Sequence, residues 1–136
     1  MPVYQHILVP TDFSNYSEAA AARAKSLAAV FDARVSLLHV VDYVPPTYVA
    51  SQMPSDFGSE KWLIGRAEQQ LADWAASVDL AGAGKWVQAG APKHVIIDLA
   101  KAQAVDLILI GTSSTDILKR IIGSTTTGVL QHAPCD

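Results

Sequence analysis

The chain has 136 residues, half of them apolar, with ten basic and thirteen acidic side chains for a formal charge of −3. That length holds one domain, residues 1–136, with a sizeable core and no room for a second. The weak negative charge lacks the basic footprint by which proteins hold nucleic acid or anionic membrane, which disfavours both as partners. Cys135 is the only cysteine, so no internal disulfide and no thiol pair for zinc or redox chemistry can form. The opening Met1-Pro2-Val3-Tyr4-Gln5-His6 does not read as a secretory signal, and no apolar run reaches the roughly 18 residues that a membrane span requires. A soluble, cytoplasmic protein is expected.

In residues 4–10, Ile7, Leu8 and Val9 form the continuous apolar run of a strand buried on both faces, and Pro10 ends it. Ser14 and Ser17 precede the alanine-rich residues 18–31, which read as a helix whose first N–H groups a serine can cap. Residues 35–41 make a second strand, most simply parallel to the first through a right-handed crossover. Residues 42–58 hold Pro45, Pro46 and Pro54 and read as a long loop of the kind that often covers a site. From Ser59 helical spacing returns and puts Trp62, Leu63, Ala67, Leu71, Trp74, Ala75 and Val78 on one face, against a sheet. Residues 85–89 make a third strand, Gly90-Ala91-Pro92 turns into a helix with proline at its first position, and residues 105–110 make a fourth, buried strand.

This alternation predicts a Rossmann-like α/β fold, an open parallel sheet with helices on both faces. Such sheets bind ligands beyond the carboxyl ends of the strands, where strand order reverses. The turns after the first and fourth strands are therefore the candidate site. A fifth apolar strand would begin near Ala133-Pro134-Cys135-Asp136 and is missing from this chain, which leaves the edge of the fourth strand unpaired.

After the first strand, Pro10-Thr11-Asp12-Phe13-Ser14 sets a carboxylate and two hydroxyls at the rim. Asp12 can accept hydrogen bonds from a ribose or help hold a hydrated cation; the alternative is that it favours the following helix start through the macrodipole. After the fourth strand, Gly111-Thr112-Ser113-Ser114 and Gly123-Ser124-Thr125-Thr126-Thr127 combine glycines, hydroxyls and a helix start, a phosphate cradle in outline. The alternative is a polar surface loop before an ordinarily capped helix. Lys119 and Arg120 lie between the two glycine turns, placed either to approach a polyphosphate or to sit on a solvated face.

No lysine follows the glycines as in the Walker pattern, which excludes a fast P-loop ATPase. His6, His39, His94 and His132 share no metal-ligand spacing, and no Gly-x-Ser-x-Gly elbow is present, so neither a metal site nor an enzyme is expected. Trp62 and Trp74 read as core residues, whereas Tyr43 and Tyr48 in the long loop are candidates to shelter a base.

Taken in order, several segments resemble the universal stress protein family. His6-Ile7-Leu8-Val9-Pro10-Thr11-Asp12-Phe13-Ser14 is similar to its opening strand and aspartate turn, and Val35-Ser36-Leu37-Leu38-His39-Val40-Val41-Asp42 to its second strand. Gly90-Ala91-Pro92, Val105-Asp106-Leu107-Ile108-Leu109-Ile110-Gly111 and His132-Ala133-Pro134-Cys135 are similar to its third turn, fourth strand and closing segment. The resemblance implies an adenine nucleotide alpha hydrolase-like fold and a role in the stress response. One branch of the family binds ATP through Gly, two residues, Gly, nine residues, then Gly with Ser or Thr. Gly111 fits the first position and Gly123-Ser124 the last, while Ser114 stands at the second with eight residues before Gly123. Another branch lacks the motif and does not bind ATP, and this chain falls between the two.

For the nucleotide-binding branch, the resemblance implies that Asp12 and Gly111 hold the ribose, with Pro10 and Thr11 beside them, while Val40 backbone groups recognise adenine. Gly123, Ser124 and Thr125 then hold phosphates, with Ser114 as a further member. The implied ligand is ATP, or AMP or ADP, with Mg²⁺ accompanying ATP. A homodimer is implied as well. Two alternatives stand beside this one: a dimeric interaction protein whose crevice is empty, and a slow hydrolase or self-phosphorylating protein using Ser124 or a neighbouring threonine.

Overall fold

The apolar run Ile7-Leu8-Val9 exists because both faces of its strand are covered. A computed structural model describes residues 4–41, 60–111 and 124–136. Along the chain these form β1 (His6–Pro10), α1 (Asn15–Phe31), β2 (Arg34–Val41), α2 (Glu60–Ser77), β3 (Gly84–Ala89), α3 (Pro92–Ala102), β4 (Leu107–Ile108) and α4 (Ser124–His132). The expectations for residues 42–58, with Tyr43 and Tyr48, and for Ser114, Lys119, Arg120 and Gly123 lie outside the described residues.

The four strands are parallel and ordered β3-β2-β1-β4, which puts β1 at the centre of one side of the fold's reversal. Every residue of β1 is buried. Successive side chains of a strand point to opposite faces. Ile7 and Val9, with Leu37 of β2, pack against Ala24 of α1 and against Leu71 and Ala75 of α2. Leu8 and Leu38 pack on the other face against Ile96, Leu99 and Ala100 of α3 and Val129 of α4. The expected sheet with helices on both faces is the observed architecture.

Helix α1 starts at Asn15, three residues before the alanine run, because Ser14 caps it by accepting from the Ser17 N–H at 3.3 Å. It stops where Asp32 turns left-handed at φ 55° and gives its N–H to the Ala28 carbonyl. Small residues at Ala21 and Ala24, both fully buried, let the helix lie close on the sheet.

Two sequence expectations need correction. Trp62 is not in the core: it is 38% exposed, with the Arg66 guanidinium 5.6 Å over its ring. At about 100° per residue it stands some 140° around α2 from Ala67, on the far side from the buried stripe of Ala67, Leu71 and Ala75. The outer edge of β4 is not left wholly unpaired either, because the Ile108 N–H donates to the Asp136 carbonyl at 2.8 Å. The closing residues thus come back beside β4.

The amino-terminal edge of the sheet is tied by polar groups. The Asp106 carboxylate accepts the N–H of Gln5 at 2.9 Å and that of His6 at 3.0 Å. The buried His6 ring reaches the Gln103 carbonyl through Nδ1 at 3.0 Å, so Nδ1 carries the proton and Nε2 accepts from the Ser36 hydroxyl at 2.7 Å. Burial pushes the His6 pKa below the ordinary imidazole value and the Arg34 charge adds to this, against the opposing pull of the Gln103 carbonyl and Asp106. The unfolded chain therefore binds more protons than the folded one as pH falls below about 6.5, and stability present above that pH is lost through the window beneath it. The urea midpoint should be lower at pH 5 than at pH 7, and His6→Gln should show a smaller difference over that interval. Equal midpoints for the wild-type chain at the two pH values would contradict this account.

Candidate functional site at the carboxyl rim of the sheet

From β1 the chain builds outward to β2 and β3 on one side and places β4 on the other. The turns leaving β1 and β4 therefore emerge side by side at the carboxyl rim, the crevice where sheets of this kind hold ligands. Gly111, the described start of the second, touches the helix that follows the first. A Cβ on Gly111 would lie 2.8 Å from the Ser17 nitrogen and closer still to the Tyr16 carbonyl, so the chain leaving β4 rests on the first turn of α1. Only glycine permits that approach without moving backbone.

The turn after β1 is held at each residue. Pro10 is buried at the strand end. Thr11 is buried, with its N–H on the Leu38 carbonyl at 2.8 Å and its hydroxyl accepting the Phe13 N–H at 2.9 Å. Asp12 Oδ1 accepts from the Ser17 hydroxyl at 2.8 Å and the Ser14 N–H at 3.0 Å, and the Asp12 N–H returns a bond of 3.1 Å to that hydroxyl. Both expectations for Asp12 thus touch the structure: it shapes the helix start through Oδ1, while Oδ2 belongs to an exposed side chain at the rim. Partial desolvation works to raise its pKa, but the hydrogen bonds from Ser14, Ser17 and the turn's N–H groups outweigh it and leave the pKa lowered. Near neutral pH the group is a carboxylate and an acceptor only.

Phe13 adopts φ 67°, left-handed for a bulky residue, at a cost of about 1–2 kcal/mol. Its ring stacks on His39 at 4.4 Å and 28°, with Trp74 of α2 edge-on at 6.1 Å. His39 in turn reaches the Thr11 carbonyl through Nδ1 at 2.8 Å.

Register places Val40 at the same rim. Backbone groups of β2 face β1 at even positions, as Arg34 donating to Gln5 and Leu38 accepting from Thr11 show, and face β3 at odd positions, as Val41 accepting from Gly90 shows. The last β2 residue paired with β1 is Leu38, opposite Pro10. The N–H and C=O of Val40 therefore face the β1 side past the end of that ladder, a donor and an acceptor side by side. Ser124 and Thr125 begin α4. Further along α4, a Cβ on Gly128 would lie 2.6 Å from the Lys93 side chain in the first turn of α3.

Of the predicted site residues, the structure brings together Pro10, Thr11, Asp12 and Gly111, and it sets Val40 at the same rim. Ser17 and His39 are site-shaping residues that motif reading does not reveal: the first reads as a generic helix cap, the second as one of four scattered histidines. Among the described residues no group of three His, Cys, Asp or Glu side chains could hold a metal, and no helix is long and apolar enough to cross a membrane.

The Universal stress protein family profile matches residues 3–136. The chain is 29% identical to Universal stress protein A homolog 1 of Coxiella burnetii over 134 residues, 98% of this chain and 93% of that protein. Universal stress protein UspA from Lactobacillus plantarum has a similar structure, with a TM-score of 0.72 and 33% identity over 97% of this chain and 94% of that one. A universal stress protein from Archaeoglobus fulgidus, solved in complex with dAMP, shares the fold with a TM-score of 0.66 and 19% identity, over 98% of this chain and 94% of that one.

Two substitutions test the rim's construction. Ser17→Ala removes both bonds that tie Asp12 to α1 and should cost about 1–2 kcal/mol of stability. Gly111→Ala forces a methyl group into the backbone of Tyr16 and should cost about 1–3 kcal/mol. Urea denaturation checks both, and a Gly111→Ala midpoint equal to wild type would show that the two turns do not touch.

Proposed function

Because the chain belongs to the universal stress protein family, we propose that it binds an adenine nucleotide at this rim and that occupancy of the site is its signal in the stress response. The observation that carries the reading is the packing of Gly111 on the first turn of α1, which Ser17 ties to Asp12, with the Val40 backbone pair past the end of the β1–β2 ladder. An ionised, exposed Asp12 supplies a carboxylate acceptor for a ribose hydroxyl, with Oδ1 already bonded to Ser14 and Ser17. The Val40 C=O and N–H form the acceptor–donor edge that an adenine needs for its amino group and ring nitrogen.

Phosphates would then run towards the start of α4, since the first turn of a helix favours an anion. ATP, AMP and ADP all meet these demands, and Asp12 is the described carboxylate at the rim that could help hold the water shell of a Mg²⁺ arriving with ATP. The dAMP of the Archaeoglobus fulgidus protein is a ligand of the same class. The acting form in this reading is a cytoplasmic homodimer, as family membership suggests, and the role is regulatory binding rather than turnover.

Calorimetric titration with ATP and with AMP, each with and without Mg²⁺, tests the reading. Saturable heat is expected, and Asp12→Asn, which keeps an oxygen for the Ser14 and Ser17 bonds but loses the charge, should weaken binding about tenfold or more. No heat at millimolar nucleotide would overturn it.

A further inference from the structure

We infer that His39 is a positioning residue for this rim: its imidazole holds the Thr11 carbonyl and the Phe13 ring, and through them sets where the Asp12 carboxylate stands. Its consequence for ligand binding rests on the function proposed above; its consequence for the turn rests on geometry alone.

The need arises where β1 leaves the sheet. The Thr11 N–H makes the last bond to β2, on Leu38, and the ladder between the two strands ends at Pro10 and Leu38. The Thr11 carbonyl thus comes after the paired residues, and the His39 side chain reaches it from β2 at 2.8 Å. A carbonyl only accepts, so Nδ1 must carry the proton, which fixes the orientation of the ring as well as the carbonyl. One face of that fixed ring is covered by Phe13 at 4.4 Å and 28°.

Phe13 is where a loose turn would otherwise relax. A bulky residue at φ 67° persists only where its surroundings over-determine it. Here the Phe13 N–H is bound by the Thr11 hydroxyl, and its ring lies between His39 and the edge of Trp74. Asp12 sits between two residues that His39 holds, while Ser17 fixes its carboxylate from the α1 side. The imidazole works from below on two successive links of the turn, the carbonyl before Asp12 and the ring after it. A histidine serving only as filler would use its area and not its donor.

Two substitutions separate the donor from the ring. His39→Phe keeps an aromatic face for Phe13 and removes the donor; His39→Asn puts an amide N–H near the position of Nδ1 and removes the ring. In His39→Phe the Phe13 and Ser14 amides should exchange with deuterium about fivefold faster or more, with the Leu8 amide unchanged, and nucleotide should bind about fivefold to tenfold more weakly. His39→Asn should recover most of both losses. Should His39→Phe prove too unstable to measure, Phe13→Gly accepts the same backbone angle without strain, and should still speed Ser14 exchange by removing the ring that His39 grips.

Wild-type exchange at Phe13 and Ser14 in His39→Phe, or in the fallback an unchanged Ser14 in Phe13→Gly, overturns the inference. So does equal nucleotide affinity in His39→Phe and wild type. If the wild-type protein binds no nucleotide, the function proposed above fails, and the exchange rates alone decide the role of His39.

Discussion

The site depends on one contact of backbone against backbone. At Gly111 the chain leaving β4 lies on the first turn of α1, with no space between them for a methyl group. Two segments distant in sequence are thereby fixed to one another at the point where strand order reverses. Helix α1 is itself held to the β1 turn by Ser14, Ser17 and Asp12. The described part of this rim is therefore Gly111 packed on the first turn of α1, beside the Asp12 turn.

The two ends of β1 are treated differently by the fold. At its amino end the strand is closed off: Asp106 takes the N–H groups of Gln5 and His6, and the His6 ring spans from the α3 terminus at Gln103 to Ser36 in β2. Those bonds run from the exposed Gln5 N–H to the buried His6–Ser36 contact, and they serve cohesion. At its carboxyl end the same kinds of group are used, but part of their capacity is turned outward. Asp12 spends Oδ1 on the turn while its side chain stays exposed, and β2 runs three residues past its last pairing with β1. A parallel sheet concentrates exposed backbone at that end, since the helices that cover its faces begin there.

Much of this was legible in the sequence because the physical signals were local. Continuous apolar runs announced strands with two covered faces, and the alternation of strands and helices gave the parallel sheet, from which the reversal between the first and fourth turns followed. What escaped were features that periodicity does not encode. The left-handed angle at Phe13 has no glycine or asparagine to mark it. Trp62 was grouped with Leu71 and Ala75 because it is large and apolar, yet its angular position puts it on the opposite face. The bond from Ile108 to Asp136 joins residues whose proximity depends on where α4 ends. His39 was one of four histidines without ligand spacing, and a lone histidine in a strand carries no sign that its donor will meet a turn.

Gly111 shows why a motif glycine must be weighed against its neighbours in space. A glycine in a phosphate-binding pattern is taken to let backbone approach the ligand, and its replacement elsewhere in the pattern, as at Ser114, then counts against binding. Here the atoms that forbid a side chain at Gly111 are those of Tyr16 and Ser17. The glycine is required by packing whether or not a nucleotide is present, so it supports the architecture of the rim more strongly than the identity of the ligand. The proposal of a nucleotide rests instead on the exposed Asp12 carboxylate and on the Val40 backbone pair past the end of the β1–β2 ladder.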